Sequence, residues 1–153
     1  MSVDFAFLPI DADKNAPFYS PTLGPSGAPV GGNTQSVGNA TGFDTVRTPK
    51  DTATVSVAYR VSAPRGTLSF VVSDYYNSGF SWDPDDRLRQ SSFEVVNASV
   101  DWNAPKNGWS VRLWGSNLTG THYCAYATGL TLLNSCAPAP PRTYGITLGA
   151  HYR

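Results

Sequence analysis

Apolar and polar residues alternate with a period of two along six stretches of the chain. The pattern is clearest in TATVSVAYRVS, where Ala53, Val55, Val57, Tyr59 and Val61 share one face. Successive side chains of a β-strand point to opposite faces, so this alternation predicts half-buried strands. No long window shows the 3.6-residue period of an amphipathic helix. Strands are predicted at about residues 2–8, 52–62, 67–76, 93–102, 109–118 and 143–153. The sequence therefore predicts an all-β fold, an antiparallel meander of about six strands.

The links between these strands alternate between long and short. The Pro- and Gly-containing turns SAPRG (62–66) and NAPKNG (103–108) are short enough for hairpins. The remaining links are predicted as long loops at about 9–51, 77–92 and 119–141. Alternate links of an antiparallel meander lie at the same end of the sheet, so all short turns share one end and all long loops the other. This segregation is typical of outer-membrane β-barrels, which have short periplasmic turns and long outer loops.

The alternation itself fits two surroundings, a bilayer around an apolar outer face or a soluble sandwich around an apolar core. Strands of about 9 to 11 residues are long enough to cross a bilayer when tilted. Aromatic residues also gather at strand ends, as they do in the interfacial girdles of membrane barrels. Those at the turn end are Trp102 and Trp109, and those toward the long loops are Tyr75, Tyr76, Phe80 and Trp82. The pattern favours transmembrane strands, with a soluble sandwich as the alternative.

Composition narrows the classes of function. The 11 Lys and Arg balance the 11 Asp and Glu, so charge gives no reason to expect nucleic acid as a partner. The apolar runs are too short for a transmembrane helix, and the first residues lack the basic segment of a signal peptide. With only two histidines, no Ser-His-Asp arrangement stands out, and no paired carboxylates do either. Neither catalysis nor a cofactor is therefore expected.

Four segments give the chain a family resemblance. They are VRTPKDTATVSVAYR (46–60), DYYNSGFSWDPDDRLRQSSFEVVNASVDW (74–102), LWGSNLTGTHY (113–123) and PPRTYGITLGAHYR (140–153). In this order and spacing they resemble the C-terminal part of the barrel of TonB-dependent outer-membrane receptors, of the iron-complex type. The matching motif positions are Asn117, Leu118, Thr119 and Tyr123, then Pro141, Arg142, Thr143, Tyr144 and Gly145. Gly120 stands where Asp is usual in the family.

The resemblance implies a piece of a roughly 22-stranded barrel in the lipid of the bacterial outer membrane. Such a receptor imports a nutrient, with a ferric siderophore as the first expectation, and its N-terminal plug domain contacts the TonB complex. The chain is expected to lack the plug, to carry out no transport alone, and to have an internal or miscalled start at Met1. The alternative function is a self-contained secreted or surface β-protein that binds a ligand through its long loops.

Two cysteines lie in the last predicted loop, which faces outside the cell in the barrel interpretation. Cys124 and Cys136 are expected to form a disulfide in that oxidising environment. A metal site that adds His122 is the less favoured alternative, because no fourth ligand follows at zinc-like spacing.

The middle loop carries a run of charges. Asp83, Asp85 and Asp86 suggest calcium, but their spacing matches no EF-hand, and the neighbouring arginines compete for the carboxylates. A solvated loop is the favoured interpretation. An anionic, aromatic-rich siderophore would be bound through charge and stacking. The candidate ligand contacts are Arg87, Arg89, Tyr123 and Tyr126.

Overall fold

The computed structural model describes residues 15–105 and 108–150. Throughout these ranges the regular structure is β, and all pairings between named strands are antiparallel. The same ranges contain no helix that is long and apolar enough to span a membrane. The prediction of an all-β, antiparallel fold is confirmed. The strand predicted at 2–8 lies outside the described residues.

The described chain forms eleven strands. They are β1 (Ala16–Leu23), β2 (Pro29–Gly38), β3 (Thr52–Ala63), β4 (Gly66–Asn77), β5 (Phe80–Ser81), β6 (Arg89–Gln90), β7 (Phe93–Asn103), β8 (Trp109–Ser116), β9 (Cys124–Gly129), β10 (Asn134–Pro138) and β11 (Thr143–Ala150). Five of them form the central sheet in the order β11-β8-β7-β4-β3. Because each of these strands pairs with its neighbours in the chain, the sheet is a meander, consistent with a segment of a barrel wall.

Each of the three predicted loops contains a two-stranded hairpin: β1–β2, β5–β6 and β9–β10. The sequence analysis missed these strands because their local pattern is interrupted. APFYSPTL contains two prolines and PVGGNTQSVG contains three glycines, residues that are depleted in strands. The register also shifts between Pro21 and Leu23, and again at Pro138. The long connections are therefore ordered hairpins.

The register of the central sheet decides which side chains share a face. Val57 pairs with Val72, Val72 with Ala98, Ala98 with Gly115, and Gly115 with Tyr144. Directly opposed residues of an antiparallel sheet point to the same face. Most apolar positions of the five strands consequently lie on one face, and most polar positions lie on the other.

The two tight turns lie side by side at one end of the sheet. Gly66, which follows the first turn, has a φ of 134°. A Cβ there would lie 2.4 Å from the carbonyl oxygen of Asn103, at the start of the second turn. Glycine avoids both the strain and the collision. This close approach keeps the turn ends of β4 and β7 in register.

The central sheet has no buried apolar core of its own. The buried hydrophobic residues in the described ranges are Ala16, Ala40, Trp82 and Ala127, and all of them lie outside its five strands. The interior of the molecule therefore lies among the outer hairpins.

Candidate functional site: the apolar sheet face and the loop cap

The apolar face consists of three complete cross-strand rows, each with one residue from every strand of the central sheet. The first is the row from Val57 to Tyr144 described above. The other two are Tyr59, Phe70, Val100, Leu113 and Ile146, and then Val61, Leu68, Trp102, Val111 and Leu148. These three rows of five residues contain no charged or amide side chain. Ile146 and Leu148 are 68% and 71% exposed, so the described chain leaves most of this face uncovered.

Aromatic and charged residues mark the two borders of the apolar face. Trp102 and Trp109 lie toward the tight turns, as predicted from their positions at strand ends. At the loop end, Tyr76 pairs with Glu94, and Asp74 lies one row closer to the centre. The nine residues from Leu68 to Tyr76, separated by eight rises, span roughly 26 Å along the strand. At a tilt of about 40° this is about 20 Å of membrane thickness, close to the apolar band of outer-membrane barrels.

Three of the four aromatics expected in the outer girdle lie elsewhere. Tyr75 pairs with Thr54 and Val95, so it points to the polar face. The rings of Phe80 and Trp82 contact each other in the outer hairpins, with centroids 4.8 Å apart. The girdle prediction was wrong for these three residues, because position at a strand end does not decide which face a side chain occupies.

The opposite face is lined by small polar side chains. One row across it contains Ser56, Ser73, Asn97, Ser116 and Thr143. A groove of about 440 Å³ runs along this face. At its edge Arg112 forms an ion pair with Asp101 at 3.5 Å. Trp114 folds over Gly145, where a Cβ would lie 2.8 Å from the indole, and its Nε1 donates to Thr147 Oγ1 at 3.3 Å. This face is therefore suited to water, or to a polar neighbour.

The three outer hairpins pack together in an assembly that we name the loop cap, defined as β1–β2 with residues 39–50, β5–β6 with its turn, and β9–β10. Val46 forms a bridge to Ser81, and the backbone N–H of Arg47 donates to the Ser81 carbonyl at 2.7 Å. Phe18 stacks on Phe43 with centroids 5.9 Å apart. Together with hydrogen bonds from Asn33 to Thr131 and from Cys124 to Gln90, these contacts connect the three hairpins to one another.

The predicted ligand contacts are engaged within the chain. Arg87 forms ion pairs with Asp83 and Asp85. Arg89 forms ion pairs with Asp44, at 3.0 Å, and with Asp86. The two tyrosines contact other rings: Tyr123 stacks on Phe93 at 4.3 Å, and Tyr126 lies against Trp82 at 5.9 Å. The structure does not gather these four side chains around a common space, and their role in ligand binding stays a prediction.

Two acidic residues of the loop cap have pKa values that are shifted in opposite directions. Burial raises the pKa of Asp83, and the neighbouring Asp85 adds to this effect. Hydrogen bonds from Arg89 and Lys50 lower the pKa of Asp44. Within the described ranges no group of three His, Cys, Asp or Glu side chains is arranged to hold a metal ion. The aspartates that suggested calcium are instead partners of arginine side chains.

The structure joins Cys124 and Cys136 in a disulfide, with Cα atoms 5.7 Å apart. The bond connects β9 to β10 within one hairpin. The backbone N–H of Cys124 also donates to the side chain of Gln90 at 2.9 Å, which connects this hairpin to β6. The two sulfur atoms are therefore not available to a metal site with His122.

The first family motif surrounds a bend that begins at Asn117, directly after β8. Asn117 is 3% exposed and has a φ of 50°. Its Nδ2 donates to the carbonyl oxygens of Thr121 (2.9 Å) and Pro140 (3.2 Å), and its Oδ1 accepts from the Thr121 N–H. Thr119 donates from its hydroxyl to the Glu94 carbonyl on β7. Asn117 therefore closes the base of the last hairpin by linking its outgoing and returning segments.

The remaining motif positions lie around the start of β11. Pro141 and Arg142 precede it, and Thr143 is its first residue. A Cβ on Gly120 would lie 2.5 Å from Nη2 of Arg142, so the guanidinium covers this glycine. Leu118 covers Gly115 in the same way, on the apolar face next to Tyr144. The two motifs are thus in contact, as parts of one structural unit.

Several residues that hold the loop cap together were not singled out from the sequence. Asn33, Asp44 and Asn134 are separated by long stretches of chain and have no local pattern. Arg47 lies within the segment 46–60 that carries the family resemblance, but nothing in that segment indicated which side chains Arg47 contacts. Its guanidinium lies 5.6 Å from the Trp82 ring and 4.9 Å from the Tyr126 ring.

Comparisons with known proteins show a similarity to a solved structure. No family model and no curated protein sequence matches the chain. Among solved structures, it resembles the ferric yersiniabactin uptake receptor FyuA from Yersinia pestis, with a TM-score of 0.65 and 21% sequence identity. The match covers 75% of this chain and 19% of that one. The chain therefore has a receptor-like β fold and spans about a fifth of the length of the receptor that it resembles.

Proposed function

We propose that the chain is a segment of the barrel wall of a TonB-dependent outer-membrane receptor that imports a nutrient, with a ferric siderophore as the first candidate. The observation that carries this proposal is the apolar face of the central sheet, which has five strands, three uninterrupted rows and little cover. The opposite face of the sheet carries small polar side chains. This is the arrangement of a barrel wall with lipid outside and water inside.

A soluble sandwich accounts less well for the same face. Covering one Val, Leu, Ile or Phe side chain gains roughly 1.5–3 kcal/mol, and soluble monomers rarely leave an extended apolar patch in water. The outer hairpins do not supply a cover, because their buried residues lie among themselves. In a bilayer, lipid covers the apolar face, and no further part of the chain is needed to cover it.

The edges of the sheet explain why a segment of a larger wall is proposed, and not a complete barrel. In the described part of the chain, β3 and β11 each pair with a strand on one side only. An unpaired backbone group in lipid costs several kcal/mol, so both edges need further strands. We therefore expect no transport from this segment alone. In the whole receptor, a plug domain would contact the TonB complex.

The nutrient is proposed from similarity alone. The receptor that the chain resembles takes up ferric yersiniabactin, which makes a ferric siderophore the first candidate. A strain in which the reading frame is deleted, grown under iron limitation on single ferric siderophores, tests this part. Growth like that of the parent strain on every siderophore would contradict it while leaving the membrane assignment intact.

Two tryptophans on β8 provide the test of the membrane assignment. Trp109 lies on the apolar face and Trp114 on the polar face. We would prepare two chains, each with only one of them and with the other tryptophans changed to Phe, in vesicles of phospholipid brominated on its acyl chains. Bromine quenches at short range, so Trp109 emission should fall strongly and Trp114 emission much less.

Two outcomes would overturn the membrane assignment. Equal quenching of Trp109 and Trp114 would mean that the sheet does not separate lipid from water. A chain that stays monomeric and cooperatively folded without lipid, with neither tryptophan quenched, would favour the secreted or surface β-protein.

A further inference from the structure

The first and last outer hairpins touch each other although they are far apart in sequence. Asn33 on β2 donates from its side chain to Asn134 Oδ1 on β10 at 3.1 Å. Its backbone N–H donates to the carbonyl of Thr131, in the turn between β9 and β10. The edge strands β3 and β11 are four strand spacings apart, or about 19 Å. The hairpin before β3 therefore reaches across the width of the sheet.

The middle hairpin is connected to both of the others. The backbone N–H of Tyr19 on β1 donates to Asp85 Oδ2 at 2.7 Å. Nη1 of Arg87 donates to Asn134 Oδ1 at 3.0 Å. Nη2 and Nε of Arg87 lie 3.6 Å from the carboxylates of Asp83 and Asp85, respectively. One arginine side chain therefore completes a series of polar contacts from β1 to β10.

These contacts lie in a region that excludes much of the water. The side chains of Asp83 and Asp85 are 7% and 6% exposed, and that of Arg87 is 23% exposed. Trp82 and Gln90 are buried beside them. Removing one charge from such a group leaves its partner charged and poorly solvated, so the members depend on one another.

We propose that the three outer hairpins open as a single unit, and that Arg87 holds this unit closed. The opening of one hairpin would break contacts with both of the others, because Asp85 of the middle hairpin accepts from β1, and Asn134 of the last hairpin accepts from both Asn33 on β2 and Arg87. The central sheet has its own hydrogen-bond ladder and would stay paired while the loop cap opens. This inference goes beyond the receptor assignment and does not depend on it.

Amide hydrogen exchange of the full chain provides the test, in phospholipid vesicles if the membrane assignment holds and in buffer without lipid if it does not. The reporters are the N–H groups of Tyr19, which bonds to Asp85 of the middle hairpin, of Asn33, which bonds to Thr131 of the last hairpin, and of Leu88, which bonds to Asp83 within the middle hairpin. The amides of β7 report on the sheet. In Arg87→Gln, which removes the charge but keeps a polar, shorter side chain, exchange at all three reporters should rise together, roughly tenfold or more. The β7 amides should not change. The matched control is Arg60→Gln, because Arg60 donates to Ser69 within the sheet.

Two results would overturn the proposal. An increase confined to Leu88 and its neighbours would mean that the hairpins open independently. An equal increase in β7 would mean that the loop cap does not open separately from the sheet. A second variant, Asn134→Ala, removes the acceptor that Arg87 and Asn33 share without removing a charge. It should produce the same joint increase, and an increase at Asn33 alone would count against the single unit.

Discussion

The guanidinium of Arg47 lies between the aromatic rings of Trp82 and Tyr126, at 5.6 and 4.9 Å from their centroids. The three residues come from three parts of the chain: the segment before β3, the middle hairpin and β9. A planar guanidinium is suited to stacking on rings, and because Arg47 is exposed, each of its two cation–π contacts stabilises by about 0.5–1 kcal/mol. This arrangement connects the start of the central sheet to the two hairpins that follow.

We expect Arg47→Met to lower the free energy of unfolding of the loop cap by about 1–2 kcal/mol, because the charge is lost while most of the apolar stem remains. Arg47→Lys should recover only part of this loss, since an ammonium does not stack as a plane. The measurement is urea unfolding, monitored by the fluorescence emission of Trp82 in a chain that has Trp82 as its one tryptophan. Equal stability of the lysine and wild-type chains would show that charge alone is sufficient.

The apolar face predicts that substitution by lysine has different effects on stability at two neighbouring residues. Val57 and Ala58 are both exposed, but Val57 belongs to the first apolar row and Ala58 points to the polar face. Lysine at a central lipid-facing position costs about 2–4 kcal/mol in membrane barrels. Val57→Lys should therefore destabilise the chain in vesicles by about this amount, and Ala58→Lys should have little effect. Urea titrations in the same lipid measure both, and equal costs would contradict the assignment of the faces.

Asn117 is predicted to be the most sensitive position of the last hairpin. Replacement by Ala removes both amide donors and the acceptor for Thr121, leaving backbone groups unpaired at about 1–3 kcal/mol each. It also places a Cβ-bearing residue without a compensating side-chain hydrogen bond in a left-handed conformation, at about 1 kcal/mol. Asn117→Gly should therefore be less destabilising than Asn117→Ala, by about 1 kcal/mol. The free energy of unfolding in vesicles decides this order, and the reverse order would show that backbone strain is not relevant there.

The disulfide is expected to stabilise the loop cap and not the sheet. The bonded cysteines are 12 residues apart, and closing a loop of this size contributes about 3 kcal/mol in the chain-entropy model. Changing both Cys124 and Cys136 to Ala should lower the stability of the cap by about this amount. Hydrogen exchange in β9 and β10 should rise while exchange in β7 stays the same. An increase in β7 of the same size would show that the bond also supports the sheet.

The pH dependence of the loop cap follows from two carboxyl groups with opposite shifts. Burial raises the pKa of Asp83, so the folded cap favours its protonated form, and this contribution to stability is lost as the pH rises through the raised pKa. The pKa of Asp44 is lowered by its cationic partners. Its contribution is therefore present above the ordinary pKa of 3.8 and is lost as the pH falls through the lowered value.

Asp83→Asn separates these two effects. The asparagine side chain keeps the Oδ1 atom that accepts from the Leu88 N–H, but it does not titrate. Stability of the cap in the wild type should decline as the pH rises from the ordinary pKa of 3.8 through the raised pKa of Asp83, and this decline should be smaller in the variant. Unfolding of the cap is monitored by Trp82 emission across this pH range. It gives the slope of stability against pH for the wild type and for the variant. Identical slopes would show that Asp83 does not titrate in this interval.

The five strands of the central sheet could be predicted from the chain because each follows a simple local rule. Alternation with period two was sufficient to place β3, β4 and β7 within about two residues of their observed bounds. The same alternation predicted which residues of one strand share a face. It did not predict that the apolar faces of all five strands coincide, since that depends on the register between strands.

The loop cap shows where local rules fail. Its hairpins contain proline and glycine, so their period is broken, and they are stabilised by contacts between distant residues. Tyr19 and Asp85 are 66 residues apart, and Asn33 and Asn134 are 101 residues apart. Arg87, Arg89, Tyr123 and Tyr126 were recognised by residue type as candidate ligand contacts. Their intrachain partners became apparent only in the folded chain.

The all-β class, the alternation along each strand and the segregation of turns from long loops are local properties, and the amino-acid order is sufficient to determine them. The continuous apolar face, the polar groove behind it and the contacts of the loop cap depend on how distant segments align. A shift of one residue between two strands would move every side chain of a strand to the other face. Backbone pairing at long range therefore decides whether the apolar residues form one surface, and for this reason the surface is a property of the fold.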